Sequence, residues 1–105
     1  MATTAFSSGG APAGAMGERS LPHNADAERT VLGAILVDNQ AFNSAAEILT
    51  RDDFYRDAHR RIFEAMATLA EKSEPIDLVT LKNELTRTTS LDAAGGVAYL
   101  AGLVE

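Results

Sequence analysis

At 105 residues and 46% hydrophobic side chains, the chain is long enough for one domain with a modest core and no more. A net charge of −6 works against the attraction to phosphates on which nucleic-acid affinity rests, so direct nucleic-acid binding is not expected. The lack of cysteine excludes disulfides and Cys-based zinc sites, and the longest apolar run, Val31–Val37, is far short of the roughly 20 residues needed to cross a bilayer.

Residues 1–20 are rich in Ala, Gly, Ser and Thr without periodicity, which predicts a disordered tail. No basic segment followed by an apolar core marks a secretory signal, so a cytoplasmic location is expected. Gly9 and Gly14 have phosphate-loop spacing, but Ala15 and Met16 stand where lysine and Ser/Thr are needed. Without the lysine charge the match carries no nucleotide site.

The ordered part is expected to open at Leu21-Pro22-His23-Asn24, with Asn24 as N-cap and Asp26 and Glu28 placing negative charge on the first helical turn. Ala27, Val31, Ala34 and Ile35 follow at a helix period. Residues 31–37 could alternatively form a buried strand, but the caps and the Ala and Leu content favour a helix. Asp38-Asn39 breaks the pattern, and Ala41, Phe42, Ala45, Ala46 and Leu49 predict a second helix.

Thr50 with Asp53 resembles a cap for a short turn carrying Phe54-Tyr55, with Phe54 inward and the Tyr55 hydroxyl needing a polar partner or water. Asp57 can start a third helix with one broad apolar stripe of Ile62, Phe63, Met66, Leu69 and Ala70. Lys72-Ser73-Glu74-Pro75 ends it. Asp77 is expected to cap a fourth helix with Leu78, Leu81 and Leu85 on one side and Lys82, Asn83, Glu84 and Thr86 on the other. Gly95-Gly96 permits a tight approach into a last helix carrying Val97, Leu100 and Val104, which is expected to run to Glu105 uncapped. The fold expected is all-α, a small globular bundle of about five to six helices with short links.

Nothing in this order is arranged for chemistry. His23 and His59 lie in different elements without metal-ligand spacing or a partner in sequence, and His59 reads as a packed or capping side chain. The adjacent carboxylates Asp52-Asp53 fall where a helix begins, so capping accounts for them. Arg56, Arg60 and Arg61 cluster, but Asp52, Asp53, Asp57 and Glu64 surround them, as on a solvated face of mixed charge. No catalytic, cofactor-binding or metal site is expected. The residues singled out are structural: Asn24, Phe54, Tyr55, His59, Phe63 and Asp77. The Phe54-Tyr55 pair is also open to reading as an anchor for a partner.

The chain resembles the N-terminal domain of bacterial replicative DNA helicases of the DnaB family. The resemblance rests on Leu21-Pro22-His23-Asn24 with Ala27-Glu28 and Val31-Leu32-Gly33, then Asp53-Phe54-Tyr55, His59 and Ile62-Phe63. Pro75-Ile76-Asp77-Leu78-Val79-Thr80-Leu81 and Gly95-Gly96-Val97-Ala98-Tyr99-Leu100 complete it, so that residues 21–105 are covered in order. It implies a collar domain on a hexameric ring, whose partners are other helicase subunits, primase and, in some systems, a loader. It further implies that ATP and Mg²⁺ belong to a RecA-like domain elsewhere in a full-length parent, and that a helical hairpin follows the collar domain. Two other classes share the local pattern. A standalone helical adaptor would lack a Walker A motif after Glu105, and a helix-turn-helix regulator built on residues 58–87 would bind duplex DNA in a salt-sensitive way.

Overall fold

The computed structural model describes residues 24–105. The tail expected over residues 1–20, with Gly9 and Gly14, and the Leu21-Pro22-His23 opening lie outside the described residues. Within them the chain is all-α, with no strand: α1 (Ala25–Val37), α2 (Gln40–Ala46), a 3₁₀ turn (Arg51–Asp53), α3 (Asp57–Glu71), α4 (Leu78–Arg87) and α5 (Gly96–Gly102).

The helix starts follow local side-chain chemistry. Asn24 Oδ1 accepts from the Ala27 N–H at 3.0 Å and opens α1. Asp53 Oδ2 accepts from the Thr50 N–H at 2.8 Å and closes the 3₁₀ turn. At α4 the cap is reciprocal: Asp77 Oδ1 accepts from the Thr80 N–H at 2.9 Å, and Thr80 Oγ1 accepts from the Asp77 N–H at 3.0 Å. Ser73, just past α3, sits at φ 59°, the left-handed conformation that ends a helix.

The core forms around α3, which packs against α1, α4 and the 3₁₀ turn. Its stripe of His59, Ile62, Phe63, Met66 and Leu69 is buried throughout. Phe63 lies between Phe42 of α2 and Phe54, with ring centroids 5.4 and 5.0 Å away in tilted contacts. Such pairs add about 0.5–1.5 kcal/mol each beyond the area they bury. Asn39, at the α1–α2 corner, clips the lead-in to α4 onto that corner. Its Nδ2 donates to Ile35 O (3.0 Å) and Ile76 O (2.8 Å), and its Oδ1 accepts from the Ile76 N–H (2.8 Å).

Four expectations need correction. The buried residues of α1 are Glu28, Leu32, Gly33 and Ile35; of the expected Ala27, Val31, Ala34 and Ile35, only Ile35 is fully buried, Val31 packs partly against the core and Ala34 is exposed. Because 31–37 is apolar on every side, its period could not fix which side turns inward. Helix α2 stops at Ala46, because the N–H groups of Ile48 and Leu49 both turn onto Ala45 O. Leu49 still packs against the core from the following turn, whereas Ile48 is exposed.

On α4 the polar and apolar sides are not cleanly divided. Leu78 is on the surface, and Glu84 is buried beside Leu81 and Leu85. Its carboxylate there meets Lys72 at 3.4 Å and Arg87 at 2.5 Å, which makes burial of the charge tolerable. Helix α5 ends at Gly102, and the inward residues are Leu100 and Leu103, with Val97 and Val104 half exposed. Close packing here leaves no room for a side chain on Gly33, whose Cβ would overlap the carbonyl oxygen of Leu103.

Candidate functional site: a buried Glu–His–Tyr chain and the turn it holds

The polar groups that the fold brings together come from three helices. Glu28 of α1 and His59 of α3 are both fully buried, and Tyr99 of α5 is partly so. His59 Nδ1 lies 2.7 Å from Glu28 Oε1, and its Nε2 lies 2.6 Å from the Tyr99 hydroxyl. An ionised carboxylate can only accept, so Nδ1 carries the proton; in the neutral ring Nε2 is then an acceptor for the Tyr99 O–H. The imidazole also stacks on the Tyr99 ring at 5.9 Å, and the Arg29 guanidinium covers that ring at 5.9 Å.

Glu28 does more than join α1 to α3. Its Oε2 accepts from the Tyr55 N–H at 2.7 Å, and its Oε1 from the Arg56 N–H at 3.5 Å. Burial by itself would raise the carboxyl's pKa. The Tyr55 N–H, the His59 ring and the Arg56 N–H together outweigh it and hold Glu28 below its ordinary value. Glu28 does place negative charge on the first turn of α1, as expected, and is also the buried acceptor on which the Phe54–Arg56 segment hangs.

The same segment is gripped from its other side. Arg60 Nε donates to Phe54 O at 2.6 Å. Phe54 points inward and is fully buried; its extended backbone (φ −86°, ψ 134°) then turns Tyr55 outward, at 57% exposure. Arg61 Nε donates to Asp57 Oδ2 at 2.7 Å, a bond that holds the Asp57 carboxyl below its usual range, and Arg61 Nη1 reaches Ser90 Oγ at 3.0 Å. Arg60 and Arg61 are thus engaged within the domain rather than arrayed towards a polyanion.

Glycine completes the arrangement at α5. Gly95 has φ 106°, and a Cβ there would stand 2.8 Å from Cβ and Cγ of Tyr99. Its lack of a side chain lets the Tyr99 ring fold back over the turn and reach His59. An open groove of about 710 Å³ is lined by Gly33, Ala34 and Val37 of α1 and by residues 102–105.

The six residues singled out from the sequence fall into separate places. Asn24 and Asp77 cap α1 and α4. Phe54 and Phe63 are in ring contact in the core, His59 is in the polar chain, and Tyr55 faces outward from the turn. Sequence reasoning missed that Glu28 and Tyr99 are the partners of His59. The one available signal was that Glu28 stands four residues before Leu32 and seven before Ile35, on what becomes the buried face. Among the described residues no group of three or more His, Asp or Glu side chains could hold a metal ion. No helix among them is long and apolar enough to cross a membrane.

Residues 20–105 match the family model described as the DnaB-like helicase N-terminal domain. The chain is 47% identical over 88 residues to the replicative DNA helicase DnaB of Geobacillus stearothermophilus, covering 84% of this chain and 19% of that protein. It is 43% identical over 90 residues to the replicative DNA helicase DnaC of Bacillus subtilis, covering 86% of this chain and 20% of that one. The chain therefore spans about one fifth of the length of these relatives. The crystal structure of the N-terminal domain of DnaB helicase from Mycobacterium tuberculosis superposes with a TM-score of 0.77 at 38% identity, over 79% of this chain and 59% of that one.

Proposed function

The chain belongs to the DnaB-like helicase N-terminal domain family, and from that premise we propose that it is the non-catalytic collar domain of a hexameric, ATP-dependent replicative DNA helicase. In this reading it helps to assemble the ring and docks primase or a loader during DNA replication in the cytoplasm. The observation that carries it is the match of the whole described domain, in sequence and in fold, to the N-terminal domain of such helicases.

The site geometry supports a holding role. Glu28, His59 and Tyr99 engage one another and the backbone of the Phe54–Arg56 segment, and so join α1, α3 and α5. A general base needs to reach a substrate proton, whereas His59 is fully buried with both ring nitrogens in hydrogen bonds. ATP and Mg²⁺ would be bound by the RecA-like part of the parent helicase, and unwinding would be done there. Purified, this chain should neither hydrolyse ATP nor unwind a forked duplex, while the full-length parent does both. ATPase activity that co-purifies with the 105-residue chain would overturn the non-catalytic assignment.

A further inference from the structure

The turns after α5 carry the backbone along one side of the open groove beside α1. Leu103, Val104 and Glu105 donate their N–H groups to Leu100 O, Ala101 O and Gly102 O, so this stretch is hydrogen-bonded as far as Glu105. The carbonyl of Leu103 lies against Gly33, so the stretch and α1 meet backbone to backbone and wall the groove between them. Two apolar side chains of the lining stand in water: Val37 is 76% exposed and Val104 43%. Of the described residues that line the groove, Asp26, Asp38 and Glu105 are acidic and Arg29 is basic. Arg29 is already turned to Asp26, at 3.9 Å, and to the Tyr99 ring.

The chain spans about one fifth of the length of its relatives and covers 59% of the solved domain on which it superposes. In a parent of that length, the residues after Glu105 start at the mouth of the groove. Tethering gives such a segment an effective concentration on the order of millimolar, an advantage that no untethered partner has. Resting on the reading above, in which this is one domain of a longer helicase, we infer that the groove is the seat of the segment directly following Glu105 in the parent. Its α1 wall, from Asp26 to Asp38, is about 18 Å long, which about twelve helical residues span. The lining sets the chemistry of the occupant: apolar side chains cover Val37 and Val104, and basic ones face Asp26 and Asp38.

The test puts the photo-reactive residue benzoylphenylalanine in place of Val37, and separately of Val104, in the full-length parent. After irradiation, peptide mass spectrometry identifies what is cross-linked. The expected product has the mass of one chain and joins the probe to a peptide within roughly a dozen residues after Glu105. The same probe in place of Ile48, which is 79% exposed and outside the groove, is expected not to form it. A cross-link to residues 1–23, to a second subunit or to a later part of the chain overturns the assignment, as does no cross-link from either groove position. Hexamer mass and DNA-dependent ATPase are measured on the same preparations. With both present, such a result removes the groove assignment and leaves the collar reading standing; if either is missing, the collar reading falls and the groove assignment with it.

Discussion

Replacing Glu28 by alanine should destabilise the domain by about 3–5 kcal/mol, the usual cost of removing one partner from a buried ion pair or its hydrogen-bonded equivalent. The magnitude can be worked from the bonds lost. Two short contacts, from the Tyr55 N–H at 2.7 Å and from His59 Nδ1 at 2.7 Å, disappear together with a weak one from the Arg56 N–H at 3.5 Å. Each buried donor left without an acceptor costs about 1–3 kcal/mol, so the two strong ones alone give about 2–6 kcal/mol. For a domain of this size each kcal/mol lowers the melting temperature by roughly 4–8 °C, which predicts a fall of at least about 12 °C.

Glu28→Gln provides the contrast. Its amide oxygen can still accept from Tyr55, and its NH₂ can donate to His59 if the ring takes its other tautomer, so the loss should be only about 1–2 kcal/mol. The pH dependence follows from the lowered pKa of Glu28 in the folded protein. Its contribution is fully present above the ordinary carboxyl value of 4.5 and is lost as pH falls from there through the lowered folded value. Subtracting the glutamine variant's stability from that of wild type at each pH isolates this slope from the other carboxylates. The assay is urea unfolding followed by circular dichroism across pH 3–7, a range of about two units either side of 5. An alanine variant within about 0.5 kcal/mol of wild type, as for an ordinary surface change, would refute the reasoning.

Gly95→Ala should cost about 1–3 kcal/mol, because alanine is strained at φ 106° and its Cβ would displace Tyr99. The displaced phenol should also alter the His59 ring ¹⁵N shifts, and unchanged shifts would sever the proposed link between that glycine and the chain. Asn39→Ala removes the two bonds that clip Ile76 to the α1–α2 corner, together with one to Ile35 O, and should cost about 1–3 kcal/mol. Hydrogen exchange should then show the Ile76 amide opening first; continued protection of that amide would count against the clip.

The Glu28 result bears on how much of this domain can be read in one dimension. Helix starts were legible because a cap acts within three residues: Asn24 with Ala27, Thr50 with Asp53, and Asp77 with Thr80 are all such pairs. The stripe of α3 was legible because charged residues on its other side leave one apolar face, Ile62 to Leu69. The inward side of α1 was not, since seven apolar residues in a row surround the helix axis and only its neighbours choose among them. Glu84 and Leu78 show the same limit on α4, where side-chain type points one way and the contact with α3 decides the other.

The sequence by itself determined the elements, their order, the helical class and the absence of a patterned catalytic motif, because propensity, capping and periodicity act over a few residues. Tertiary structure alone decided that Glu28, His59 and Tyr99 meet across separations of 31 and 40 residues. It also decided that Glu28 reaches on to the backbone that displays Tyr55 and Arg56. No local rule encodes such a meeting. It exists because packing α1, α3 and α5 around one core brings a carboxylate, an imidazole and a phenol within bonding distance, away from water, where each needs the others as partners.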